Sequence, residues 1–266
     1  MSMRVLSLTP SRARLRAIAI LAITLSACGE TTITIDAPET EPEAKIELER
    51  GLLAHFRFDE TEAGTEAQDA SGNGHHGTPS ANPPTPSLTV PPVGFANPRS
   101  LDFDGVEQLI DLGNPASLDV SGNVTLAAWI RPLAIDGYRS IVAHGFRSEP
   151  NGELSIRIYE EDYEFTFWDG MDHMASAPIP PGDVDSWHHL VGVHDAGAYR
   201  LYRDGELVVE HPDTVVPTQI DTPWAVGGRS ATTPPSDARF FSGLIDEVRI
   251  YGRALSRDEV RALFRL

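Results

Sequence analysis

Cysteine is almost missing from this chain of 266 residues: Cys28 stands alone. A single thiol closes no internal disulfide and completes no Cys-based zinc set, and no His-x-His or His-Glu-x-x-His spacing takes its place. Gly-x-Ser-x-Gly is absent as well, so nucleophilic hydrolase chemistry has no support. Basic residues are scarce, 21 Lys and Arg against 39 Asp and Glu, for a net charge of −18. Such a chain lacks the basic footprint that nucleic acid requires and has no electrostatic attraction to anionic lipid. Long helical periodicity is lacking, and no internal repeat recurs.

What is present is punctuation. The 22 Gly and 21 Pro separate short runs in which apolar and polar residues alternate, the pattern of strands. Strands are expected at 51–58, 100–103, 108–112, 124–131, 140–144, 154–159, 163–168, 187–194, 198–203, 206–210, 223–226 and 241–251. Asp204-Gly205 centres a two-residue hairpin, and Glu160-Glu161-Asp162 a second. Residues 78–98 hold the densest proline and read as a long surface connection. About a dozen such strands form an all-β, two-sheet antiparallel sandwich, at a length that buries a core without staples.

The amino terminus reads differently. Arg4, Arg12, Arg14 and Arg16 surround or precede the apolar run 17–25, which is too short to span a bilayer and has the form of an export signal. Leu25-Ser26-Ala27-Cys28 resembles the lipobox of bacterial lipoproteins, which implies that residues 1–27 are a lipoprotein signal peptide and that Cys28 is lipidated. Gly29, rather than Asp, implies in that resemblance an outer-membrane or cell-surface destination within the cell envelope, with the membrane reached only through the lipid anchor. Losing that segment removes four Arg and no acid, leaving 17 basic against 39 acidic residues and a net charge of −22. Residues 28–50, acidic with scattered Pro, read as a flexible tether to a domain at 51–266.

The closing strand contains a carboxylate that looks misplaced. By alternation Leu244, Val248 and Ile250 share one face, and Asp246 interrupts it. A carboxylate turned to a core is costly unless paired or bound to metal. After it, Ser256 and Glu259 have capping-box spacing, then a short helix with Val260, Leu263 and Phe264 on one side. Near the other end, Asp69-Ala70-Ser71-Gly72-Asn73-Gly74-His75-His76-Gly77 is a tight loop that needs left-handed conformations. Calcium takes several oxygens, often carboxylates and carbonyls. Asp69, Asn73 and turned-in carbonyls could supply them, with Asp246 closing the shell if the loop lies beside the last strand. Otherwise Asp69 and Asn73 make Asx-turns, and Asp246 bonds to amides without an ion.

Several blocks occur in a fixed order: Phe56-Arg57-Phe58-Asp59-Glu60, the Asp69–Gly77 loop, Leu101-Asp102-Phe103-Asp104-Gly105, Val124 to Ile130, Trp187-His188-His189-Leu190-Val191, Leu201 to Gly205, and Gly243 to Ser256. The series, over about residues 50–266, resembles the laminin-G-like, concanavalin-A-like jelly-roll domains of bacterial secreted proteins. That resemblance implies a jelly-roll sandwich with a short C-terminal helix. It also implies a structural calcium held by Asp69, Asn73, the His76 carbonyl and Asp246, with Asp59 a further candidate.

Two other constellations bear on function. Glu160-x-Asp162-x-Glu164 spells the acid triplet of jelly-roll hydrolases, but Glu161 as a spacer cannot face a core, and the acids fall on a hairpin tip. On the flanking strands Arg157 shares a face with Tyr159, and Glu164 shares one with Trp168, which leads into Asp169. An aromatic ring for a sugar face with Arg and Asp for its hydroxyls makes Arg157, Tyr159, Trp168 and Asp169 the candidate binding residues, against the plainer reading that Trp168 packs on a neighbouring strand. Trp129 and Trp187 read as core; Trp224 is left open. The expected protein is therefore a surface-anchored lipoprotein whose jelly roll binds carbohydrate or another cell-surface ligand. A glycan hydrolase or lyase, and an adhesion protein with a protein partner, are the alternatives.

Overall fold

A computed structural model describes residues 47–148, 151–229 and 239–266. The expected signal peptide, Cys28 and nearly all of the tether lie outside them. Among the described residues the strands form two antiparallel sheets. The eight-stranded sheet runs β13 (Glu206–Pro212), β12 (Ala198–Arg203), β11 (His188–His194), β6 (Val124–Pro132), β15 (Ser242–Tyr251), β4 (Ser100–Asp104) and β3 (Thr85–Ser87), with β1 (Leu52–Phe56) also paired to β15. The seven-stranded sheet runs β10 (Asp172–Pro178), β9 (Asp162–Trp168), β8 (Asn151–Tyr159), β7 (Tyr138–Ser148), β14 (Trp224–Val226), β5 (Ile110–Gly113) and β2 (Thr78–Pro79).

Alternation builds the core between them. Leu126, Ala128 and Ile130 of β6 meet Ile156 and Ile158 of β8 and Phe165 and Phe167 of β9, all fully buried. Gly192 of β11 is required at one point of closest approach. A Cβ there would stand 2.2 Å from the Phe165 ring, closer than any real contact. A second cluster lies on the outer side of the eight-stranded sheet. There α1 (Arg257–Phe264) lays Val260 and Leu263 on Ala127, Val191, Tyr202 and Tyr251. Its capping box forms as the spacing predicts: Ser256 Oγ accepts from Glu259 N at 3.3 Å, and Glu259 Oε2 accepts from Ser256 N at 2.7 Å.

Three expectations need correction. The fold begins before residue 51, since Arg253 donates to the carbonyls of Arg50 and Glu47 and Leu48 packs on the outer cluster. Strand β10 is not among the expected strands, because Asp-His-Met-Ala-Ser-Ala-Pro has no β-branched residue and its inward positions hold His173, Ala175 and Ala177. Asp246 also faces the other way. Ile245, Val248 and Ile250 enter the inter-sheet core, while Asp246 pairs across from Trp129 on the outer side, near the helix that covers Trp129. A bulge at Glu247, whose φ is +48°, shifts the alternation by one residue.

Candidate functional site

Because Ile156, Ile158, Phe165 and Phe167 point into the core, their neighbours form a grid on the outer face of the seven-stranded sheet. Strand pairing sets its rows. Glu153 lies opposite Trp168 and then Asp172; Ser155 opposite Thr166 and then Met174; Arg157 opposite Glu164 and then Ser176. On the other side, Tyr138 of β7 stands opposite Tyr159. The floor is polar and yet buried: Ser155, Arg157, Glu164 and Thr166 are at most 4% exposed. Tyr138, at 39%, and the half-buried Tyr159 and Trp168 form the rim.

Charge is tightly organised across this floor. Arg157 Nε donates to Glu164 Oε2 at 2.7 Å, and its other nitrogens lie 3.9 Å from Glu153 and from Asp172. Glu153 also receives Arg229 Nε and Arg239, each at 3.2 Å. The guanidiniums in turn lie over rings: Arg157 is 5.2 Å from Tyr138 and 5.8 Å from Tyr159, Arg239 is 4.0 Å from Tyr138, and Arg229 is 4.7 Å from Phe146. Burial pushes the Glu164 carboxyl above its ordinary range, more than Arg157 pulls it down. The Thr166 hydroxyl is buried and has no hydrogen-bond partner among the described residues.

The structure thus brings together Arg157, Tyr159 and Trp168, with Glu164 added. It does not bring Asp169 to them. That carboxylate sits in the β9–β10 turn and accepts from His173 Nε2 at 3.2 Å, while His173 Nδ1 reaches Asp213 at 2.8 Å on the other side. Asp172 takes the place expected of Asp169. Glu153 could have been found by extending the alternation of Arg157 and Tyr159 back by four residues. Arg229, Arg239, Tyr138 and Phe146 had no periodic signal. Trp224 proves to be core, stacked 4.4 Å from His144, whereas Trp129 is buried on the outer side against Phe264 and Trp187 is half-buried.

The acid triplet is dispersed. Strand β8 ends at Tyr159 and β9 starts at Asp162, so Glu160 and Glu161 form the turn, with φ of +47° and +71°. Glu160 is exposed and off the grid that holds Glu164.

The expected calcium ligands also part. Asp69 Oδ1 accepts from His55 N and Ser71 N, and Oδ2 accepts from Ser71 Oγ and His75 N, all within 3.0 Å. A carboxylate has about four lone-pair positions, and here each holds a donor where a cation would need an open oxygen. Burial alone would raise this carboxyl, but the Ser71 hydroxyl and the three backbone N–H groups hold it below its usual value. Asn73 turns its NH2 to the carbonyls of Leu52 and Leu53, and the His76 ring accepts from Asp69 N. Gly72 and Gly74 have φ of +85° and +80°, as the loop requires. β1 separates this loop from the closing strand, because Phe56 bridges Asp69 on one edge and Val248 on the other. Asp246, fully buried, instead accepts from Asn97 Nδ2 at 2.7 Å and from Glu247 N at 2.8 Å. Desolvation raises its pKa to about 8, opposed by the Asn97 bond and aided by the charges of Glu247 and Asp59. Nearby, Asp59 Oδ1 and Asn97 Oδ1 are buried without hydrogen-bond partners among the described residues. Among the described residues no three His, Cys, Asp or Glu side chains converge as metal ligands.

Comparison with known proteins agrees with this architecture. Residues 104–261 match the family model of the concanavalin A-like lectin/glucanases superfamily. A search of curated protein sequences finds no match. Among solved structures, domain 4 of AbnA, a GH43 extracellular arabinanase from Geobacillus stearothermophilus, in complex with arabinotriose, is 21% identical with a TM-score of 0.59, covering 80% of this chain and 98% of that one. The binding domain of botulinum neurotoxin DC in complex with SialylT is 11% identical with a TM-score of 0.60, covering 82% of this chain and 52% of that one. The binding domain of Paraclostridial Mosquitocidal Protein 1 is 16% identical with a TM-score of 0.59, with the same coverage. This chain therefore spans about half the length of the two toxin binding domains.

Proposed function

The chain belongs to the concanavalin A-like lectin/glucanases superfamily, and from that premise we propose that the outer face of its seven-stranded sheet binds a neutral glycan. One observation carries this reading: the nearly buried Arg157 is held by Glu164 beneath the Tyr138 and Tyr159 rings, with the unpartnered Thr166 hydroxyl beside it. Rings offer a surface to the C–H face of a sugar, and fixed polar groups below select its hydroxyls. The acids on this face are bound to arginines, which suits holding a ligand better than donating and accepting protons at a glycosidic bond. The arabinotriose in the arabinanase domain makes arabino-oligosaccharides the first to try. A glycan array should detect binding, and Tyr159→Ala should weaken it about tenfold, the scale of one lost aromatic contact, with an unchanged circular dichroism spectrum. No bound glycan, or equal binding by the variant, removes this reading.

We infer further that residues 1–27 act as a lipoprotein signal peptide and that a lipidated Cys28 tethers this module to the cell envelope; the Leu25-Ser26-Ala27-Cys28 sequence supports that reading. Cys28→Ser should release the chain from the membrane fraction, and unchanged partition overturns the anchor.

A structural calcium has a second candidate location, at Asp246 with Asp59 and Asn97 rather than at the Asp69–Gly77 loop. The buried oxygens of Asp59 and Asn97 that lack partners favour it, since unsatisfied buried oxygens suit a hard cation.

A further inference from the structure

One open edge of the sandwich carries a histidine held between two acids. β10 and β13 are the last strands of their sheets and lie against one another there. By alternation His173, Ala175 and Ala177 of β10 point inward, while Asp172 and Met174 face the glycan grid. His173 is 6% exposed and has the Phe167 ring 6.2 Å away. Its Nδ1 lies 2.8 Å from Asp213 Oδ2, just past β13, and its Nε2 lies 3.2 Å from Asp169 Oδ1 in the β9–β10 turn.

Carboxylates only accept, so both contacts are hydrogen bonds only when both ring nitrogens carry a proton. The imidazolium therefore joins the turn of one sheet to the edge of the other. A neutral ring has a single N–H and leaves one acid facing a lone pair. Asp169 is the acid that lets go. Its contact is the longer, its side chain is 38% exposed, and its other bond, from Met171 N at 3.2 Å, stays inside the turn. Asp213 is fixed elsewhere: its Oδ1 accepts from Val215 N at 2.9 Å, and its own N–H donates to the Gly197 carbonyl at 3.1 Å.

Three further groups face this cluster. Tyr199 of β12 stays neutral, because burial and the charges of both acids push its phenol up. His194 of β11 lies near Asp213 and is kept neutral by burial, which lowers its pKa. His211 of β13 is exposed and adds its charge beside Asp213. Burial alone would lower the pKa of His173, but Asp213 and Asp169 raise it more. Its pairing is thus complete below the ordinary 6.5 and is lost as pH rises through the raised value.

The turn matters because of what flanks Asp169. Trp168 and Asp172 form the last rung between β9 and β10. Trp168 stacks 5.2 Å from Phe146, and Asp172 stands 3.9 Å from Arg157, so both border the glycan face. A loosened turn frays that rung first.

We propose that protonated His173 is a pH-operated clasp on the glycan face: by tying Asp169 to Asp213 it holds the β9–β10 turn, and with it Trp168 and Asp172, in the position that borders Arg157. Its effect on ligand rests on the glycan reading above, whereas the clasp itself responds without any ligand.

Nuclear magnetic resonance of the full chain, with no ligand, should show both His173 nitrogens protonated at about pH 6 and a midpoint above 6.5. Trp168 emission, taken as the difference from Trp168→Phe, should shift across the same range. His173→Gln and Asp169→Ala should each remove that shift, the second serving if the buried His173 variant folds poorly. Arabinotriose should bind about fivefold more weakly at about pH 9 than at about pH 6, the lower end of usual couplings between sites. Both variants should flatten that change, and His211→Gln should keep it. A His173 midpoint at or below 6.5, or Trp168 emission with no step, overturns the clasp. Arabinotriose affinity that stays level while Trp168 responds overturns its control of the glycan face. No arabinotriose binding at any pH removes the glycan reading, and the Trp168 step would still establish the clasp.

Discussion

Arg157 and Glu164 face one another across β8 and β9, Nε 2.7 Å from Oε2, and neither is more than 4% exposed. The other acids near Arg157 stand 3.9 Å away, too far to replace this bond. Removing one member of a buried pair leaves the other charged and desolvated, which costs about 3–5 kcal/mol. Glu164→Ala should therefore lose stability on that scale in urea unfolding. Asp172→Ala, whose side chain is 53% exposed, should stay within about 0.5 kcal/mol. Equal losses would mean that Glu164 is not the partner on which Arg157 depends.

Two buried histidines make the fold sensitive to acid. Burial lowers the pKa of His144 to about 4 and that of His189 to about 3, from an ordinary 6.5. Both stay neutral in the fold while the unfolded chain takes up protons below 6.5. Their contribution is thus present above 6.5 and is lost as pH falls toward about 4. Each adds a slope of about 1.4 kcal/mol per pH unit in that window. His173 acts oppositely: burial lowers its pKa, but Asp213 and Asp169 raise it more, so its effect falls above 6.5. His144→Phe keeps the stack on Trp224 and should reduce the pH slope of stability between 5 and 6 by about one proton. An unchanged slope would place the His144 proton elsewhere.

How much could be read beforehand follows from how local each cause is. The capping box at Ser256 and Glu259 and the hairpin at Asp204-Gly205 depend on residues within four positions, and both form as expected. Arg157, Tyr159 and Trp168 were legible because strand alternation holds through β8 and β9. Asp246 lies on the face opposite to the one that alternation implies because a single left-handed Glu247 resets the pattern, and nothing in the residue type announces it. Arg229 and Arg239 reach Glu153 from 76 and 86 residues away, a separation no periodicity spans. Asp169 stands off the grid because its turn presents it to His173, while Asp172, three residues on, returns to it.

Calcium can be located by the response of stability to the ion. A ligand at one hundred times its Kd adds about 2.7 kcal/mol, or several degrees of Tm at this size. Calcium should raise Tm by that order in the wild type and have no effect on Asp246→Asn. Asn73→Ala should lose some stability, because Asn73 caps the Leu52 and Leu53 carbonyls, but should keep the calcium response. Loss of the response in Asn73→Ala would return the ion to the Asp69–Gly77 loop. No response in the wild type would remove it from both places.

The Glu160–Glu161 turn gives the sharpest separation of a binding module from a hydrolase. Both residues hold positive φ, +47° and +71°, in a two-residue connection between β8 and β9. That pair of conformations suits Asn-Gly and strains other side chains by about 1 kcal/mol or more each. Glu160→Asn with Glu161→Gly should therefore gain about 1 kcal/mol, read as a Tm rise of about 2–4 °C. Glycan binding should be unchanged, since the grid of Arg157, Glu164 and Tyr138 contains neither residue. Had Glu160 been one of a catalytic pair with Glu164, the same double variant would lose glycan cleavage while gaining stability. A wild type that cleaves and a stabilised variant that does not would establish the enzyme and remove the lectin.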